Sequence, residues 1–167
     1  MTTRTMLRTY PETRGGLFRR LLVTEGDWGA TVARVALGGV MIPHGAQKLL
    51  GWFGGYGFQP TMGFLTAQAG LPHPIAFLVI LIESFGALAL VLGLAGRVMA
   101  AGVAAIMVGA IATVHLPNGF FMNWTGAQKG EGFEYHILAI ALALVVVLRG
   151  SGAASVDRVL SARGSEN

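Results

Sequence analysis

Apolar positions in this chain gather into four long runs, over residues 28–50, 74–95, 98–116 and 133–148. A membrane-spanning helix needs about 20 mostly apolar residues at ~1.5 Å rise each, and every run approaches that length. The pattern therefore predicts four transmembrane helices. Only Gly96 and Arg97 separate the second run from the third, which predicts a tight reversal, whereas residues 51–73 and 117–132 form two longer connections. Within the first of these, residues 60–69 read as a short helix at the membrane interface, opened by Pro60 and stopped by Gly70 and Pro72. Pro43 lacks a backbone donor and predicts a kink just before His44. The third run is thick with small residues, among them Ala100, Gly102, Ala105 and Gly109. Such residues let membrane helices approach closely, so a compact bundle is expected.

Composition agrees with the runs. Of 167 residues, 53% are hydrophobic and only 12% are charged, about half the charged fraction of an ordinary soluble domain. Too few charges remain to cover a water-soluble surface. Cysteine is absent, which excludes a dithiol relay, a disulfide, a thiolate zinc site and a thiolate-bound iron–sulfur cluster.

Charge sets the expected orientation. Arg4, Arg8, Arg14, Arg19 and Arg20 precede the first run, Arg97 lies in the short reversal, and Arg149, Arg158 and Arg163 follow the last run. All fall on one side of a four-span topology, which the positive-inside rule places in the cytoplasm. Glu25 and Asp27 interrupt the apolar stretch after Arg20, so no cleaved signal peptide is expected. The predicted organisation is a basic cytoplasmic tail (1–27), an all-α, integral membrane four-helix bundle (28–150) and a cytoplasmic C-terminal tail (151–167). Localisation is expected in the inner or plasma membrane, with both termini cytoplasmic. The opposite side receives the long connections, whose Trp52, Phe53, Tyr56, Phe120, Phe121 and Trp124 read as interfacial anchors.

Function has to be sought among the ionisable residues within the runs, because charge in hydrocarbon is costly. Counting ~1.5 Å per residue from the outer ends puts Glu83 ~14 Å deep and His44 ~9 Å deep, about one helical turn apart in height. Their side chains are expected to be able to meet. Lys48, His115, Glu134 and His136 fall in the same outer third. Taken singly, these residues have an ordinary reading, with Lys48 snorkelling to the surface and the others tolerated at helix ends. Glu83 has no such excuse. It is either functional or paired structurally with Arg34 or His44. A carboxyl this deep is expected to hold a proton unless a cation adjoins it.

A quinone headgroup suits this set. It arrives from the lipid phase, needs hydrogen-bond donors for two carbonyl oxygens, and requires a titratable group for the proton that accompanies each electron. His44 and Glu83 are the expected catalytic pair, with His44, Lys48, His115, Glu134 and His136 as cofactor-binding residues. Haem held between His44 and His115 is a competing use that nothing in the sequence demands.

In order along residues 32–160, several short motifs resemble the DoxX family of small four-helix bacterial and archaeal membrane proteins. They are Arg34; Pro43-His44-Gly45-Ala46-Gln47-Lys48-Leu49; Glu83-Ser84-Phe85-Gly86; the turn from Leu92 to Arg97; His115 ahead of Asn118-Gly119-Phe120-Phe121; Gly132-Phe133-Glu134-Tyr135; and Gly150, Gly152, Ser155 and Asp157. The resemblance implies a quinone-linked role, since the family's namesakes are membrane subunits of a thiosulfate:quinone oxidoreductase and other members are linked to sulfur or oxidative-stress complexes. It implies no particular electron donor. Expected partners are the lipid bilayer, a membrane quinone, and a protein partner or a second copy, with no nucleic acid. Two other classes remain open: a non-catalytic anchor for a partner protein, and transport of a small solute or proton.

Overall fold

Leu21, Leu22 and residues 24–163 are described by the computed structural model, and all regular structure among them is helical. The basic segment of residues 1–20 lies outside the described residues. From residue 24 to residue 163, six elements follow one another: α1 (Trp28–Leu50), α2 (Phe58–Gly63), α3 (His73–Leu92), α4 (Gly96–Asn118), α5 (Glu134–Arg149) and α6 (Val156–Arg163). The expected interfacial helix over 60–69 corresponds to α2, which continues through a π-helical turn at Phe64–Gln68.

α3 and α4 are long and apolar enough to cross a membrane. Apolar side chains such as Val32, Phe77, Leu88, Val108, Leu138 and Leu148 stand exposed on the long helices. A water-soluble protein rarely leaves so much large apolar surface uncovered. The core beneath this belt joins Leu37 and Met41 of α1, Leu90 of α3, Val103 and Met107 of α4, and Ala143 and Val146 of α5. α4 runs along α5, and α1 packs on both the second half of α3 and α5.

Glycine sets the closest crossing. A Cβ on Gly45 would fall within the backbone of Glu83 and Ser84, and one on Gly38 would lie 2.7 Å from the Ala87 carbonyl oxygen. These two positions, two helical turns apart on one face of α1, let α3 lie directly against it. Ser84 Oγ donates to the Gly45 carbonyl (3.3 Å) at the crossing. Gly45→Leu is expected to force the helices apart and lower the unfolding midpoint in detergent by the equivalent of about 1–3 kcal/mol or more. An unchanged midpoint would show that the crossing tolerates bulk.

Helix ends depart from expectation where the backbone turns left-handed. The second helix was expected to reach residue 95, but Gly93 (φ 69°) and Ala95 (φ 50°) both adopt positive φ, so α3 stops at Leu92 and α4 starts at Gly96. Arg97 consequently lies in the first turn of α4 and donates to the carbonyls of Val147 and Leu148 at the end of α5.

At that same end, Arg34 is fully buried and donates to the carbonyls of Leu90 and Val91 in the last turn of α3, and to those of Ser151 and Ala154 beyond α5. It satisfies acceptors that a helix terminus otherwise leaves open. Asp157, also fully buried, accepts from the backbone N–H groups of Ala95 (2.8 Å) and Gly96 (2.9 Å) and from Ser151 Oγ (2.6 Å). Asp157 thereby caps α4 from a distant part of the chain. Asp27 caps α1 through Gly29 N, while its carbonyl accepts from Ala153 N (3.2 Å). Residues 151–157 thus stitch the first turns of α1 and α4 to the last turns of α3 and α5.

Candidate functional site

The opposite end of the molecule holds a cavity of about 570 Å³, within the ordinary range for small-molecule sites. Apolar side chains from α1, the π turn and loop after α2, α3 and α4 make most of its wall. Its polar part includes His44, Lys48, Glu83, His115, Tyr135 and His136.

Each group arrives by a definite local device. His44 and Lys48 stand one helical turn apart on α1, flanking Gly45, so the contact that presses α1 on α3 also brings Glu83 to them. Glu83 sits in a π-helical turn, Ile82–Gly86, closed by Ala87 N–H to the Ile82 carbonyl. His115 ends a second π-helical turn, Ile111–His115, in α4. The third such turn among the described residues supplies Phe64 and Leu65. All three π turns therefore line one cavity, a placement such turns frequently take at functional sites.

Glu83 is buried and ion-paired with Lys48, whose side chain is 27% exposed against 4% for the glutamate. Lys48 thus turns inward to Glu83, against the ordinary reading of a snorkelling lysine, and the structural partner of Glu83 is neither Arg34 nor His44. Arg34 is far along α1 at the clasp of backbone carbonyls, and the cation that adjoins Glu83 is Lys48.

The histidines form two ring contacts. His44 stacks on Tyr135 with centroids 5.8 Å apart and planes 22° from parallel, and Tyr135 Oη donates to Met41 Sδ at 3.6 Å. His115 and His136 meet at 4.1 Å. His115 Nδ1 lies 2.8 Å from the Glu131 carbonyl oxygen, an acceptor only, so Nδ1 carries a proton. Buried His136 has no hydrogen-bond partner at Nδ1. A buried polar atom without a partner is unusual.

Glu134 stands apart. Its carboxylate accepts from Trp124 Nε1 (3.0 Å), and it borders a shallow pocket with Phe120 and Ile137 rather than the cavity. Its neighbour Tyr135 occupies the cavity wall instead, a position that sequence reasoning did not single out. Glu131, in the connection before α5, also reaches the rim; its carboxylate accepts from Asn123 N (2.7 Å) and helps fold that connection. Gly132 packs so closely under the carbonyls of residues 119–121 that a side chain there would collide with them. No cluster of three or more histidine, aspartate or glutamate side chains fit for a metal occurs among the described residues.

Residues 29–116, a little over half of the chain, match the DoxX family. The matched stretch includes Arg34, His44, Lys48, Glu83 and His115; Tyr135, His136 and Asp157 lie beyond it. No curated protein and no solved structure matches the chain.

Proposed function

The chain belongs to the DoxX family of membrane proteins, and from that premise we propose that it is the quinone-binding membrane subunit of a redox system. In this reading α1, α3, α4 and α5 all span the plasma membrane, both termini are cytoplasmic, and the cavity lies in the outer half of the bilayer. The observation that carries the reading is the cavity itself, whose largely apolar walls end in a group of basic side chains around the carboxylate of Glu83.

The residues divide the chemistry. Reduction of a quinone to a quinol takes two electrons and two protons. The electrons come from a partner protein or small donor, since this chain contains no cysteine and no nucleotide-binding motif. His44 and Lys48 polarise one carbonyl oxygen, Glu83 exchanges the accompanying protons, and His115 and His136 meet the headgroup at the outer mouth. The geometry gives Glu134 no part in this. Tyr135 joins instead, holding the His44 ring by stacking.

Protein extracted in mild detergent is expected to retain quinone, detectable by its absorbance after solvent extraction. Glu83→Gln and His44→Ala are each expected to lower quinol turnover by about 10²-fold or more, the usual contribution of a positioned acid–base group. Absence of bound quinone, together with wild-type turnover in both variants, would overturn the reading. The buried Lys48–Glu83 pair supports a second one, a non-catalytic anchor whose charges tie helices together. Under that reading the same variants change thermal stability or partner assembly and no chemical step.

A further inference from the structure

The wall of the cavity is incomplete between α3 and α4. At their paired ends the two helices touch closely: a Cβ on Gly86 would lie 3.2 Å from Met99 Sδ, and one on Gly102 would lie 2.9 Å from Ile82 Cδ1. Beyond Ile82 and Gly102 they part. The first half of α3, His73–Leu81, packs against α1, α2 and the π turn Phe64–Gln68, with no comparable packing on α4. Leu78 and Ile75 of α3 face the resulting gap, as do Ala105 and Gly109 of α4; all four line the cavity and all four are exposed. A Cβ at Gly109 would meet nothing within 4 Å.

This is a V-shaped slot, closed at Ile82–Gly102 and open above. Its edges belong to the two helices long and apolar enough to cross a membrane, so it faces hydrocarbon rather than water. Behind it stand Glu83, His44 and His136. A ligand whose polar head reaches those groups must have its remaining length in the slot, and only a hydrocarbon chain suits both the slot's lining and the lipid outside.

We infer that the slot between α3 and α4 is the lateral entry and the seat of a long apolar tail, and that Gly109 is kept free of a side chain to leave room for it. The inference rests on the quinone-binding reading and adds to it the ligand's shape: one ring with an extended hydrocarbon substituent, bound head inward and tail in the bilayer. Gly109 acts as a specificity-determining position and takes no part in proton transfer.

The test uses the full chain in lipid nanodiscs and two probes, a decyl-substituted benzoquinone and the same ring without its decyl group. Binding to Gly109→Trp is compared with wild type for each probe, so that partition into lipid cancels. A Cβ at Gly109 has open space around it, so a larger side chain starts into the slot and not into packed atoms. Gly39→Trp is the control, since Gly39 is exposed on α1 outside the cavity and a Cβ there also meets nothing within 4 Å. Gly109→Leu provides a smaller obstruction should the tryptophan variant fold poorly.

Gly109→Trp is expected to weaken the decyl probe by about tenfold or more through lost burial of its methylenes, and to leave the tail-less ring within about threefold. Gly39→Trp is expected to change neither. Equal binding of the decyl probe by Gly109→Trp and wild type, or equal weakening by the control, would overturn the slot while leaving the quinone reading standing. Failure of both probes to bind wild-type protein would overturn both together.

Discussion

Asp157→Ala is expected to cost about 3–5 kcal/mol, the usual consequence of removing one member of a buried charged network. The carboxylate accepts from Ala95 N, Gly96 N and Ser151 Oγ, and its charge acts on the buried guanidinium of Arg34. Its loss strands two backbone donors at the start of α4, a hydroxyl, and a cation that remains buried among carbonyls. Thermal unfolding in detergent micelles, followed by circular dichroism, should show the fall in midpoint. Asp157→Asn should fall between the two, because an amide keeps one acceptor but turns its NH₂ toward neighbours that are themselves donors. A wild-type midpoint for Asp157→Ala would mean that helix packing alone holds this end together.

The second large effect is expected at the other end. Lys48→Met should leave Glu83 buried without its cation and destabilise the fold by about 3–5 kcal/mol. Adding Glu83→Leu should restore most of that loss, since replacing a buried pair by apolar residues of similar volume is often neutral or stabilising. The double variant then separates stability from function. If the cavity binds and protonates a quinone, Lys48→Met/Glu83→Leu is expected to fold well and still lose quinol turnover. Recovery of both would leave the pair a structural tie and favour the anchor reading.

Level along the helices was legible in the sequence, and helix rotation was not. Rise per residue placed Glu83 and His44 one turn apart in height, and the structure brings both to one cavity. The same count put Glu134 level with His115 and His136, yet its side chain points toward Trp124. Successive residues on a helix diverge by roughly 100°, so Glu134 and Tyr135 share a depth and face different neighbours. Which of them reaches the cavity depends on how the loop from residue 119 folds under Gly132, a long-range contact without a local signature. The partner of Glu83 was hidden for a similar reason. Snorkelling is the default for a lysine near a helix end, and only the close crossing at Gly45 offers Lys48 a carboxylate instead. The π turns left no periodic trace either, since each adds a single residue to an otherwise helical pattern. At the far end, Arg34 and Asp157 were visible as family-like positions, but a sequence cannot show that one clasps four carbonyls and the other caps a helix 61 residues away.

The clasp around Arg34 also imposes an order on biosynthesis. Two of its acceptors, the carbonyls of Ser151 and Ala154, lie 117 and 120 positions downstream. Until those residues are made, Arg34 has only the carbonyls of Leu90 and Val91 to bind, and α4 lacks the carboxylate that caps it. The clasp on the first helix can therefore close only after residues 151–157 have been synthesised.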